Sequence, residues 1–329
     1  MSTAEAGQEA GMTPSSFAEL EALYAASPLA NIDRQALVEW SPAPSLWGRL
    51  KPLIAKQAGV NLHWSEVDGH RIHYWDTGVS EKPVLVLLHG FGSSKENWSF
   101  LVPLLSAQYR VLVPDLPGFG NSTFSSQSDY RMESQAERIS GWLAQLGVSQ
   151  FRIAGSSMGG AISALIAARH PDLVTGLCLM NAAGAPATRM SMLEAGILAG
   201  RNFLIAENRA ETMRLFRVCL HSRKKILGAM FAFLMAGDMR HRHKLNHAIF
   251  GDLVRSLETA YLSLPSISSP TLVLWGDSDQ VLSPTCVDAF LEKIPHAKAM
   301  VLPETGHLPM LEKPQDTATV LQAFWSAGL

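Results

Sequence analysis

The sequence has little cysteine, little net charge and no long apolar run. Its 329 residues hold three cysteines, Cys178, Cys219 and Cys286, with no two at CxxC spacing. An odd, scattered set gives no basis for a disulfide framework or a zinc site, and a reducing compartment is the default. Lys plus Arg number 27 against 29 Asp plus Glu, a formal net charge of −2. That balance offers no basic surface for gripping nucleic acid. The longest apolar stretch, 226–237, falls short of the roughly 20 residues that span a bilayer. The start, MSTAEAGQEA, has neither a basic segment nor an apolar one. No secretory signal is read there, and a cytoplasmic location is expected. No internal repeat is evident, which sets a solenoid aside.

What is present is the material of a folded core. Hydrophobic residues make up 47% and charged residues 17%, which excludes wholesale disorder. Residues 1–16 are small and polar and read as a flexible tail. Phe17, Leu20, Leu23 and Tyr24 repeat at helical spacing. Pro42 and Pro44 mark a linker. Leu46, Trp47, Leu50, Leu53 and Ile54 then stand beside Arg49, Lys51 and Lys56. This is either a basic amphipathic helix on a membrane surface or a helix packed on the body with its lysines solvated. Pro52 interrupts the pattern, so the packed alternative is preferred. Asp68-Gly69, between two alternating runs in 62–77, is a hairpin signal.

From there the chain alternates. Apolar runs rich in Val, Leu and Ile occur at 83–90, 109–116, 151–155, 174–181, 270–277 and 297–304. They lack strict polar alternation, as strands buried on both faces do. Helical patterns lie between them, such as Met132, Ile139, Trp142, Leu143 and Leu146. The expected fold class is therefore α/β, a mostly parallel twisted sheet with helices on both faces. The period turns helical and stays so over 186–265. The expected organisation is an N-terminal extension (1–60), a core (61–185 and 266–329) and a helical cap inserted between two sheet strands (186–265).

The chemistry concentrates at strand ends. Gly155-Ser156-Ser157-Met158-Gly159 is a G-x-S-x-G pentapeptide between a strand-like and a helix-competent run. A sharp turn there pushes the Ser157 hydroxyl out at the carboxyl end of the sheet, beside a helix N-terminus. A serine nucleophile needs a base, and His307 follows the last strand run. The base needs an orienting acid. Asp279 follows the run TLVLW, and Asp277 is placed too early to reach the histidine. The alternative position, after the preceding strand, holds Asn181, which is no carboxylate. An oxyanion needs backbone donors, and the amides of Phe91 (in His89-Gly90-Phe91-Gly92) and Met158 are the natural pair. His89 is expected to brace that loop. His243 and His247 stand four apart but lack a carboxylate at ligand spacing, so they read as a solvated face.

In this order, HGFG (89–92), DLPGFG (115–120), GSSMGG (155–160), WGDSDQVL (275–282) and GHLPMLEKP (306–314) resemble the α/β-hydrolase superfamily, from His63 to the end of the chain. Within it the chain looks closest to monoacylglycerol lipases and bacterial lipases or carboxylesterases of the G-x-S-M-G-G type. The stretch 204–226 is similar to their helical cap. The resemblance implies an acyl-enzyme carboxylic ester hydrolase with a Ser157–His307–Asp279 triad. Its substrates would be acyl esters such as p-nitrophenyl esters or monoacylglycerols. It implies no cofactor and no metal.

Because the base must be neutral, activity is expected to rise through roughly pH 6–8. Nine apolar residues of the cap segment are candidates for an acyl tunnel, among them Met190, Met192, Ile197, Leu198, Met230 and Phe233. About a third are expected to touch substrate, the rest to pack the cap. Val281 and Leu308 are further pocket candidates. No partner beyond the small ester is implied, and no nucleic acid. Peripheral lipid contact and a homodimer stay open. Three rivals share the sequence pattern: a carbon–carbon bond hydrolase, a cofactor-free perhydrolase, and a non-catalytic binding module.

Overall fold

The computed structural model describes residues 16–26, 32–37, 41–78 and 81–326. The runs of Val, Leu and Ile form one eight-stranded sheet: β1 (Asn61–Val67), β2 (His70–Asp76), β3 (Val84–Leu88), β4 (Arg110–Pro114), β5 (Phe151–Ser156), β6 (Val174–Met180), β7 (Thr271–Gly276) and β8 (Lys298–Leu302). Their order across the sheet is β1-β2-β4-β3-β5-β6-β7-β8. The hairpin β1–β2 joins β4 antiparallel, and every other pairing is parallel. Asp68 and Gly69 close the hairpin with φ of 49° and 72°. Two consecutive positive φ values match the twist of the flanking strands, which is why Asp-Gly suits the turn.

The missing alternation has a direct cause. In β3, Val86 and Leu88 join one core while Leu85 and Leu87 join the other, and all four are fully buried. Each such side chain is worth about 1.5–3 kcal/mol of transfer free energy. The helices are, in chain order, α1 (Phe17–Ala26), α2 (Leu46–Ala58), α3 (Val102–Leu105), α4 (Met132–Gln145), α5 (Met158–Arg169), α6 (Met192–Leu198), α7 (Arg209–Cys219), α8 (Lys225–Val254), α9 (Leu257–Ser263), α10 (Cys286–Lys293), α11 (Pro309–Glu312) and α12 (Pro314–Ser326). Ile139 and Trp142 of α4, most of α5 and Phe290 of α10 fill one face. Val102 of α3 and Leu321 and Trp325 of α12 fill the other. The crossover from β6 to β7 is helical from α6 to α9.

Two expectations need revision, and one falls outside the described residues. Pro52 does not break the amphipathic segment; it lies inside α2. Both ends of that helix are fixed, by the Ser45 hydroxyl accepting from the Gly48 N–H at 2.9 Å and by Gly59 at φ 68°. Nor are its lysines all solvated. Lys51 donates to Asn121 at 3.1 Å and lies 3.5 Å from Glu96. The helix packs on the body through Trp47, Ala55 and Ala58. The tail over 1–15 lies outside the described residues.

Candidate active site

β5 runs into α5 through a single residue, Ser157, at φ 56° and ψ −120°. A non-glycine residue in that region is strained, so its surroundings must hold it there. Its N–H donates to the Met180 carbonyl at 3.0 Å, and its carbonyl accepts from the N–H groups of Gly160 and Ala183. The flanking glycines are required by close approach. A Cβ on Gly155 would strike the Gly159 carbonyl, and one on Gly159 would strike the carbonyls of Leu88 and His89. The β3 and β5 ends are thereby pressed together, and Gly90 comes to lie against the Ser157 side chain.

Asp279 sits in the turn after β7, 5% exposed. Its Oδ1 accepts from the N–H groups of Val281 (2.8 Å) and Leu282 (3.1 Å). Its Oδ2 accepts from His307 Nδ1 at 2.8 Å and from Asn181 Nδ2 at 2.6 Å. A carboxylate only accepts, so Nδ1 carries the hydrogen and Nε2 is left with a lone pair in the neutral ring. His307 is fixed through its backbone, which donates to the Cys219 carbonyl at 2.7 Å. Glu312 grips the same loop, accepting from Gly306 (2.9 Å), Leu308 (3.4 Å) and His221 (2.7 Å). Burial pushes its carboxyl above the usual range even against those N–H groups.

The loop after β3 is clasped to the loop after β4. Asp115 accepts from the Lys95 N–H (2.8 Å), the Lys95 ammonium (2.5 Å) and the Asn121 N–H (2.8 Å). His89 accepts at Nε2 from the Leu116 N–H (3.0 Å), so its Nδ1–H donates to the Gly90 carbonyl at 2.8 Å. Burial holds its pKa below the ordinary imidazole value. It braces the loop, as expected.

Ser157 and His307 both line one cavity of about 390 Å³. Its walls are mostly apolar, including Trp47, Phe216, Phe231, Leu234, Met239 and Leu311.

A model of the alpha/beta hydrolase fold matches residues 83–212. Lipase 3 of a Moraxella species is 32% identical over 248 residues, covering 75% of this chain and 78% of that protein. The chain belongs to the α/β-hydrolase family. Human monoacylglycerol lipase ABHD6 is 28% identical over 279 residues, 81% of this chain and 82% of that protein. Among solved structures, a membrane phospholipase A described as a bacterial virulence factor shares 33% identity at a TM-score of 0.79, covering 86% of this chain and 91% of that one. With lipases on both sides of the comparison, the chain is a carboxylic ester hydrolase. No helix among the described residues is long and apolar enough to cross a membrane.

This hydrolase brings some of the sequence candidates together and not others. Phe91, Leu308 and Met230 line the cavity, with Phe231, Leu234 and Met235 beside Met230 on α8. Met158 opens α5, where an N–H has no acceptor within the helix. Phe233 does not line the cavity. It is 56% exposed and lies under the Arg209 guanidinium, 5.3 Å from ring to charge. Val281 is off the cavity as well; it is buried behind Asp279 and serves that acid through its N–H. Met190, Met192, Ile197 and Leu198 also stand away from it. Asp277 turns to the Ser278 hydroxyl and the Thr305 N–H rather than to His307. His243 donates from Nδ1 to the Arg240 carbonyl at 2.6 Å, while His247 is buried 3.8 Å from Glu207 rather than solvated.

Two contributions were not read from the sequence. Asn181, dismissed as an acid, is bonded to the acid. Trp47, Leu50, Leu53 and Ile54 of α2 form one wall of the cavity. Their helical apolar spacing was visible; the element they would meet was not.

Proposed function

We propose that this hydrolase cleaves esters of a single apolar acyl chain, p-nitrophenyl esters and monoacylglycerols among them, through an acyl-enzyme on Ser157. The observation that carries the reading is the shared cavity: Ser157 and His307 both open into it, and Asp279 binds the far nitrogen of His307. Ser157 Oγ attacks the ester carbonyl carbon, and its proton passes to His307 Nε2. Asp279 fixes the tautomer and stabilises the imidazolium. The tetrahedral oxyanion accepts from the N–H groups of Phe91 and Met158. Collapse breaks the carbon–oxygen bond to the alcohol, which leaves with the proton from Nε2. Water then adds to the acyl carbon, giving a proton to Nε2. Collapse of the second intermediate returns that proton to Ser157 Oγ and frees the acid. Asn181 acts as a positioning residue for Asp279.

The cavity falls within the size range of small-molecule sites, and its apolar lining suits an acyl chain. Its lining among the described residues includes no Arg or Lys. A carbon–carbon bond hydrolase acting on a carboxylate substrate would need such a cation, so ester cleavage is favoured. Hydrolysis of p-nitrophenyl esters from acetate to palmitate, with Ser157→Ala in parallel, tests the reading. Cleavage that requires Ser157 and peaks at one chain length is expected. Cleavage independent of Ser157, or none at any length, overturns it.

A further inference from the structure

The mouth of the cavity is rimmed by apolar side chains that stand exposed among the described residues. Leu46, Leu50 and Leu53 stand at i, i+4 and i+7 on α2, hence on one helix face. Leu46 is 48% exposed and Leu53 63%. On α8, Ile226, Met230 and Phe233 repeat the same spacing, at 88%, 46% and 56% exposure. Leu50, Leu53 and Met230 line the cavity, so both stripes border its opening. Phe100, 43% exposed, lies on the same border. The two helices are in contact, with the Trp47 and Phe231 rings meeting edge-on at 6.3 Å.

On the two helix segments that carry these stripes the charges are of one sign. α2 carries Arg49, Lys51 and Lys56 and no acid. Residues 222–237 carry Arg223, Lys224 and Lys225 and no acid. Lys51 turns inward to Glu96 and Asn121, and Arg223 pairs with Glu304 at 2.5 Å. Arg49, Lys56 and Lys225 are exposed, and Arg209 covers the Phe233 ring. Continuous exposed apolar surface on a soluble face marks an interaction site, and a cationic margin selects an anionic partner.

We propose that this rim docks on an anionic phospholipid surface. The stripes of α2 and α8 enter the boundary between headgroups and acyl chains, and Arg49, Lys56 and Lys225 meet the headgroup phosphates. An acyl ester then passes from the lipid into the cavity between the two helices without crossing water. The inference rests on the reading that the cavity takes acyl esters.

The test uses full-length Ser157→Ala protein, which binds without turnover. It is sedimented with vesicles of phosphatidylcholine, with and without phosphatidylglycerol. Binding is expected to phosphatidylglycerol vesicles, weaker on phosphatidylcholine alone and weaker at high salt. Leu46→Glu/Ile226→Glu/Phe233→Glu, none of which lines the cavity, should lower that binding by about ten-fold or more. With Ser157 restored, the triple variant should hydrolyse p-nitrophenyl butyrate in solution at the parent rate, which also reports its fold. Arg49→Glu/Lys56→Glu/Lys225→Glu should remove the preference for phosphatidylglycerol alone. The proposal is overturned by absent vesicle binding, or by a triple variant that binds as tightly as the parent. It is equally overturned if light scattering finds a dimer that the same substitutions split, since the rim would then seat a second copy. Vesicle binding without soluble-ester hydrolysis would leave the rim standing and remove the proposed reaction.

Discussion

Replacing Asp115 by asparagine tests whether a buried ion pair holds the loop proposed to supply an oxyanion donor. Asp115 is fully buried, and Lys95, its main partner, is 1% exposed. Burial alone would push Asp115 up. The Lys95 ammonium, aided by Lys51 and the Asn121 N–H, instead holds it well below the carboxylate range. Lys95 has one other carboxylate, Glu96 at 3.2 Å. The amide introduced by Asp115→Asn would keep the shape and an acceptor oxygen but remove the charge opposite Lys95. Losing one partner of a buried pair costs about 3–5 kcal/mol. Because Glu96 remains, the lower end of that range, about 3 kcal/mol, is expected. Urea unfolding followed by tryptophan fluorescence measures it. Lys95→Met should cost a similar amount, and Lys95→Met/Asp115→Asn should cost less than the sum by about 2 kcal/mol, since neither charge is then left alone. The sign with pH follows from the lowered pKa: the stabilisation is present above the ordinary carboxylate value and is lost as pH falls through the folded-state value. The gap between parent and Asp115→Asn should therefore begin to narrow below about pH 4 and keep narrowing as pH falls further. Single substitutions costing under about 1 kcal/mol, or strictly additive ones, would refute the reasoning.

Asn181→Ala removes one donor from Asp279 Oδ2, a charge-assisted hydrogen bond worth about 1.5–3 kcal/mol, so kcat should fall roughly ten-fold or more with little change in KM. An unchanged kcat would show that the contact is structural only. Glu312→Ala leaves the N–H groups of Gly306 and His221 without their acceptor; thermal unfolding should register a loss of about 1–3 kcal/mol, and kcat should fall with it. Trp47→Ala enlarges the wall built by α2 and should move the preferred p-nitrophenyl ester to a longer chain, whereas an unmoved preference would exclude α2 from the acyl site.

What was legible in the sequence was local. The elbow depends on glycines two positions either side of Ser157, and the sheet on runs whose lack of alternation reports burial from both faces. Each signal lies within one segment, so reading along the chain finds it. What was not legible was direction and distance. The first turns of α8 are apolar nearly all round, so spacing alone does not say that Phe231 and Leu234 face the cavity while Phe233 faces out. Val281 stands next to the acid in sequence, yet its part is played by its backbone N–H. Asn181 meets Asp279 across 98 residues of chain. The wall formed by α2 is likewise a contact between an N-terminal helix and a crossover helix, and the pattern of either one names no partner.

The central claim is that Ser157 is the nucleophile of an ester hydrolase. The most direct measurement treats the full-length protein with a fluorophosphonate serine probe and maps the adduct by peptide mass spectrometry. The account predicts one adduct, on Ser157, absent in Ser157→Ala and reduced by prior incubation with a slowly cleaved ester. An adduct on the neighbouring Ser156, or ester hydrolysis that persists with no adduct on Ser157, would contradict it.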